Sequence, residues 1–343
     1  MSRPVPVSLG DAYDPRRNNF DFLRFALASL VLWAHAWPVH GRRGEWFLVA
    51  SHGQITGGSL AVDGFFILSG FLVTQSWLAR PVVRVYATKR LLRIAPALIV
   101  ALALTSFVLQ PIVQRPHAWD YLRSPVPWAH FASVFAPSLS VTPGVFPGNP
   151  QPYVLNASLW SIRYELLCYA VLAVVGRFGM ERWRTVVPGM LAAATLVAIA
   201  LAGRGSAIAV AAHQLACFSA GMWFYLARGS VRCDGRLALV AAVLLVATLL
   251  TRGIRVVFPV AGGYLLLLAA VSTRLPLHAF GRRGDVSYGI FLYGFPVEQT
   301  IRWAAGPGLA FVPFVGLAFV ATLAVAVLSW HFVETPALAR KPR

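Results

Sequence analysis

The sequence predicts an all-α integral membrane protein of about ten transmembrane helices, with both termini in the cytoplasm. Three observations predict it. The 343 residues are 58% apolar and only 12% charged, whereas an ordinary soluble domain carries about 25% charged residues. The apolar residues gather in runs close to the ~20 residues needed to cross a bilayer core about 30 Å thick. The basic residues sit in short clusters between those runs and favour one alternating set of loops.

Reading apolar runs between charges places spans near 20–39, 59–79, 94–113, 158–176, 185–203, 206–226, 237–251, 256–273, 285–303 and 308–332. The run 237–251 is short and the connection 203–206 is tight, so the count could change by one or two there. Ten spans use nearly all of the chain, which reads as a single membrane domain over 1–343. Its other parts are an N-terminal cytoplasmic segment 1–17, a long external loop 114–157 and a basic cytoplasmic tail 337–343. The loop holds Pro116, Pro125, Pro127, Pro137, Pro143, Pro147, Pro150 and Pro152 together with Trp119 and Trp128. That aromatic content favours a packed lid or interfacial segment over a disordered linker. No internal repeat or low-complexity tract interrupts the pattern.

Orientation follows from the loops. The N-terminus, 80–93, 177–184, 227–236, 274–283 and the C-terminal tail together carry 20 Lys and Arg, and the opposite set carries 8. Arg24 and Arg163 lie within spans. Positive loops stay cytoplasmic, which puts both termini inside. The formal charge of +18 resides almost wholly in arginine, 28 of the 30 basic residues. Its scatter along membrane flanks points to anionic lipid and argues against a nucleic-acid partner. Ala34-His35-Ala36 matches a signal-peptidase pattern, but the segment before it is long and contains Asp11, Asp14 and Asp21, and further spans follow, so the first span is expected to be retained. Cys168 and Cys217 fall in apolar runs and Cys233 in a basic loop. Neither they nor the histidines show metal-ligand spacing, and no metal is expected.

Ionisable side chains inside spans are costly and are functional hypotheses by default. Arg24 and His35 lie in the first span, Asp63 in the second, and Glu165 in the fourth beside Arg163. Arg24 and His35 are eleven residues apart, close to three helical turns, so they share a face about 16 Å apart along the axis. With the N-terminus inside, Arg24 is cytoplasmic and His35 lies near the outer end. The inward-running second and fourth spans bring Asp63 and Glu165 to a similar depth. A histidine beside carboxylates can act as a general base, while a structural hydrogen bond or a proton relay is the plainer reading. Arg90 and Arg93 form a fork on one helical face that suits phosphate, although such charge also serves topology. Gly64, Ser69 and Gly70 are small residues at which helices can approach; a packing role for Ser69 outweighs a nucleophilic one. His40, His52, His117, His130 and His278 fall in loops, His331 ends the last span, and His213 lies in the sixth.

Together these motifs resemble the membrane-bound acyltransferase family 3. Asn19-Phe20-Asp21-Phe22-Leu23-Arg24 followed by His35 is similar to its opening signature, and Ala61-Val62-Asp63-Gly64-Phe65-Phe66-Ile67-Leu68-Ser69-Gly70-Phe71-Leu72 to its second-helix motif. Lys89-Arg90-Leu91-Leu92-Arg93-Ile94-Ala95-Pro96 resembles its R-x-x-R-I-x-P element. Ser158-Leu159-Trp160-Ser161-Ile162-Arg163-Tyr164-Glu165 resembles its tryptophan-glutamate motif. Val286-Ser287-Tyr288-Gly289-Ile290-Phe291-Leu292-Tyr293 and Glu334-Thr335-Pro336 resemble its last elements. The likeness runs from about residue 18 to 336, in the stand-alone form without a fused hydrolase-like domain. One departure stands out: Gly294 occupies a position where the family often has histidine, so no catalytic role is assigned to that segment.

The resemblance implies transfer of an acyl group, commonly acetyl, from cytoplasmic acyl-coenzyme A to a sugar hydroxyl. It implies no permanently bound cofactor; acetyl-coenzyme A would be a co-substrate. Arg90, Arg93 and Arg24 would hold the donor's phosphates, and its pantetheine arm would extend toward His35. His35 would act as base or, less favoured, form an acyl intermediate, with Glu165 or Asp63 orienting it and Trp160 or Tyr164 lining the acceptor pocket. The expected acceptor is an envelope or secreted polysaccharide, such as O-antigen or exopolysaccharide, with lipid-linked or other glycans as runner-up. A transporter or flippase fits the buried charges on physical grounds, and a silent scaffold is the third reading. The Ala- and Arg-rich, Lys-poor composition suggests a GC-rich bacterial genome, hence a plasma (inner) membrane. Oligomeric state is left open.

Overall fold

The computed structural model describes residues 7–114, 117–134, 144–177, 180–273 and 277–342. Residues 1–6, Pro116, Pro137, Pro143, Arg274 and Arg343 lie outside them. The described residues are helical, with no β-strand among them. Ten long helices follow the chain: α1 (Phe20–His40), α2 (Gly57–Ala79), α3 (Val83–Val113), α4 (Leu159–Gly176), α5 (Met180–Ala200), α6 (Ala207–Leu226), α7 (Gly235–Thr251), α8 (Ile254–Val271), α9 (Ser287–Ala305) and α10 (Phe311–Ala339).

Each falls on one of the ten apolar runs. Eight are long and apolar enough to cross a membrane. The other two are α7, which is apolar but only 17 residues long, and α9, which carries Glu298, Gln299 and Arg302 within its 19 residues. The chain is an all-α integral membrane protein. Leu239, Val243 and Val246 on α7 and Val312, Val320 and Leu328 on α10 are exposed, as suits side chains that meet lipid.

The chain divides into two compact units. The first contains residues through Leu27, Trp46–Tyr86 and Tyr164–Arg283. Its core joins Leu9, Phe20, Leu68, Phe71, Phe224, Tyr225, Tyr264 and Leu267. The short helix Leu9–Ala12 opens with a capping box, Ser8 and Asp11 each bonding the other's backbone N–H. It docks through Leu9 N–H to the Val231 carbonyl, 2.7 Å, and Gly10 N–H to the Arg228 carbonyl, 2.8 Å. The tightest packing joins α2 to α6. A Cβ on Gly70 would strike the Phe218 carbonyl, and one on Gly221 the Ile67 carbonyl. The two backbones meet at glycine, the small-residue contact that membrane helices favour.

The second unit contains Ala28–Glu45, Ala87–Arg163 and Gly284–Arg343. One of its cores is built from Ala36, Val39, Phe295 and Phe314, and a second from Val113, Val145, Phe146 and Leu155. Part of the long loop is helical, over Ala118–Arg123 and Val126–Ala132. Pro127 sits in the first turn of the second helix, where the missing N–H costs nothing. Residues 144–157 are tied to α9. Asn149 Nδ2 donates to the carbonyl and Oε1 of Gln299, both 2.9 Å, and Gln299 Nε2 donates to the carbonyls of Gln151 and Val154. Pro296 has no N–H for the Leu292 carbonyl one turn earlier; Asn156 Nδ2 supplies the donor at 2.8 Å.

Candidate active site

The polar groups of the helices fall into two sets, one in each unit. In the first unit Asp63 is seven residues before Gly70 on α2, and Gln214 is seven before Gly221 on α6. Because the helices run parallel through the glycine contact, that equal offset sets Asp63 against His213 and Gln214. His213 Nε2 lies 2.9 Å from Asp63 Oδ2, and Gln214 Nε2 donates to Asp63 Oδ1 at 3.0 Å. Asp63 and Gln214 are almost wholly buried and His213 nearly so. Both carboxylate oxygens are therefore engaged, as a charge in a low-dielectric interior requires.

Cys217 Sγ lies 3.9 Å from the same imidazole nitrogen, so Asp63, His213 and Cys217 present three ligand atoms within 4.8 Å of one another. An ion held at about 2.0–2.3 Å in tetrahedral geometry would spread its ligands further than the Asp63–His213 distance. The arrangement reads as a hydrogen-bonded dyad.

Elsewhere in this unit the Tyr169 hydroxyl donates to Glu165 Oε1 at 2.5 Å from one turn along α4. The Tyr164 hydroxyl points to the Ala207 carbonyl at 3.5 Å. Arg24 pairs with Asp21 one turn earlier on α1, at 3.8 Å.

His35, Arg90, Arg93 and Trp160 belong to the second unit. The His35 ring stands edge-on to Phe295 of α9, with centroids 5.2 Å apart, and its Nδ1 is buried without a partner. Gly294 fits over Leu32, one turn earlier on α1; a Cβ there would touch Leu32 at ordinary van der Waals distance. Trp160 stands in the 3-10 turn Leu159–Ser161 that begins α4.

Arg93 is a junction. Its guanidinium donates to Asp285 at 2.5 Å and to Glu334 at 3.3 Å, and it lies over the Tyr288 ring. The Tyr288 hydroxyl bonds the Ile94 carbonyl at 3.0 Å. Glu334 is delivered by a π-helical turn, Trp330–Glu334, and is 2% exposed. Two carboxylates already hold the second arginine of the fork.

The model of an acyltransferase domain family, acyltransferase family 3, matches residues 17–331. The chain belongs to this acyltransferase family. Among curated proteins it is 25% identical to an O-acetyl transferase of Shigella phage Sf6, over 95% of this chain and 97% of that protein. It is 28% identical to Nodulation protein 10 of Rhizobium leguminosarum bv. viciae, over 94% of this chain and 93% of that protein. No solved structure matches. In this acyltransferase the sequence left two polar groups unassigned, one in each unit. His213 meets Asp63, and Glu298 stands on the face of α9 that also carries Phe295. Both were visible as polar residues inside apolar runs.

Proposed function

We propose that this acyltransferase moves an acyl group, acetyl in the first instance, from cytoplasmic acyl-coenzyme A to a hydroxyl of a carbohydrate. The acceptor we favour is an envelope or secreted polysaccharide, such as O-antigen or exopolysaccharide, and the setting is a bacterial inner membrane. The observation that carries the reading is the family match over residues 17–331, which includes His35 on α1. The phage relative's name, O-acetyl transferase, supports acetyl and oxygen as acyl group and acceptor atom.

In the reaction, His35 takes the proton of the acceptor hydroxyl as its oxygen attacks the thioester carbonyl. The tetrahedral intermediate collapses, the carbon–sulfur bond breaks, and coenzyme A leaves as the thiolate, which then gains a proton. Arg24, Arg90 and Arg93 are assigned to the donor's phosphates, and Trp160 and Tyr164 to the acceptor.

The test is transfer of radiolabelled acetyl from acetyl-coenzyme A into the glycan fraction by membranes carrying wild type or His35→Ala. Label with wild type and none with the variant is the expected result. Full transfer by the variant would sink the mechanism. No transfer by either, with expression confirmed and several acceptors tried, would direct attention to another donor and then to a carrier function.

A further inference from the structure

Glu298 has no exposed surface, and both of its carboxylate oxygens are buried without a hydrogen-bond partner. A carboxylate in that state is expensive to keep in a membrane helix and marks function more often than architecture. Its neighbour Gln299, by contrast, is fully committed to the loop 144–157.

The register between α1 and α9 says what Glu298 faces. Gly294 packs over Leu32, and Phe295 packs against His35. The two helices therefore run parallel through this contact. One turn beyond Leu32 on α1 comes His35; one turn beyond Gly294 on α9 comes Glu298. Glu298 is also three residues after Phe295, so the carboxylate and the ring that touches His35 share a helix face. His35 in turn has a buried, unpartnered Nδ1. Two unsatisfied groups of complementary chemistry, a ring nitrogen and a carboxylate, thus lie at the same level of one helix pair. Asp63 differs, since His213 and Gln214 occupy its two oxygens.

We propose that Glu298 is the positioning carboxylate of His35. It accepts a hydrogen bond from Nδ1–H, which fixes the tautomer that leaves Nε2 as the base. It then balances the imidazolium formed when the acceptor's proton arrives. The two side chains are not hydrogen-bonded to each other in the structure, and such catalytic bonds commonly tighten only when substrate binds. The inference rests on the reading of His35 as the base, and the experiment separates the two.

Acetyl transfer is measured with full-length protein in membranes for wild type, Glu298→Gln, Glu298→Asp, His35→Ala and the double variant His35→Ala/Glu298→Gln. Folded protein is quantified by fluorescence-detected size exclusion. The expected result is a fall in kcat of about a hundredfold for Glu298→Gln, with KM for acetyl-coenzyme A unchanged. Glu298→Asp should recover part of that loss, and the double variant should be no worse than His35→Ala alone, because Glu298 acts through the histidine. The proposal is overturned if Glu298→Gln keeps its kcat or if its loss tracks the amount of folded protein. It is equally overturned if the loss multiplies that of His35→Ala. Activity retained by His35→Ala overturns the reading of the base itself, whatever Glu298→Gln does.

Discussion

Arg90 and Arg93 look equivalent in the sequence, three residues apart on one face of α3, and each suits a phosphate. Arg93 also has a structural role. Arg93 bridges Asp285 and the buried Glu334, so removing it strands a carboxylate rather than merely opening a binding site. Breaking a buried pair from one side costs about 3–5 kcal/mol. Arg93→Ala should therefore lower the unfolding temperature in detergent and the yield of folded protein together with activity. Arg90→Ala should raise KM for the acyl donor. Melting of Arg93→Ala at the wild-type temperature would refute its structural role. The same contrast shows how far the site was legible. Arg24, His35, Asp63 and Glu165 stood out because charge in an apolar run is rare. Which of them meets which could not be read, since partnership depends on the register between helices. For Asp63 a clue was present: its seven-residue offset from Gly70 equals that of Gln214 from Gly221. Glu298 was hidden near the polar end of α9, beside Gln299 and shortly before Arg302, where a charge marks a membrane flank as readily as a site.

The elements themselves were legible for a physical reason. A bilayer selects apolar runs of fixed length, and helix is the form in which a lipid-facing run satisfies its backbone. Irregularities within the runs were not legible. The π-helical turns Thr105–Leu109, Phe258–Gly262 and Trp330–Glu334 have no signature in hydropathy, and the loop 114–157 was expected to be a packed lid or interfacial segment without its two short helices being foreseen. One of those helices carries a pH-sensitive contact. His130 is 2% exposed, its Nε2 lies 3.2 Å from Thr105 Oγ1, and burial depresses its pKa from the ordinary 6.5 to about 4. Above pH 6.5 the imidazole is neutral whether docked or released, and the contact is at full strength. Between pH 6.5 and 4 the released form takes up a proton that the docked form refuses, so docking weakens as pH falls. Amide exchange over 118–132, corrected for its intrinsic pH dependence, should accelerate across that window. In His130→Gln the acceleration should vanish; an identical profile in the variant would exclude His130 as the cause.

For the molecule as a whole the open matter is which helices cross. Eight qualify on length and hydropathy, while α7 and α9 do not. If neither of those two crosses, the termini still share a side, because eight and ten are both even. Reporters at the two ends therefore cannot distinguish the cases, but the turn between α7 and α8 can. Seventeen residues of helix rise about 25 Å, a few ångströms less than a typical hydrocarbon core, and a bilayer accommodates such a mismatch at modest cost by local thinning. The flanks favour crossing as well. Arg228, Arg232 and Arg236 gather before α7, whereas Arg252 and Arg255 follow it, continuing the alternation of 20 against 8 basic residues that orients the chain. We expect both termini and the 227–236 loop in the cytoplasm, with Arg252 and Gly253 outside. A cysteine introduced at Gly253 in a chain lacking its three native cysteines should react with a membrane-impermeant maleimide added to intact cells. One at Ser230 should react only after permeabilisation. Protection of the Gly253 position in intact cells, with labelling after permeabilisation, would mean that α7 does not cross and that the orientation of α8 is reversed.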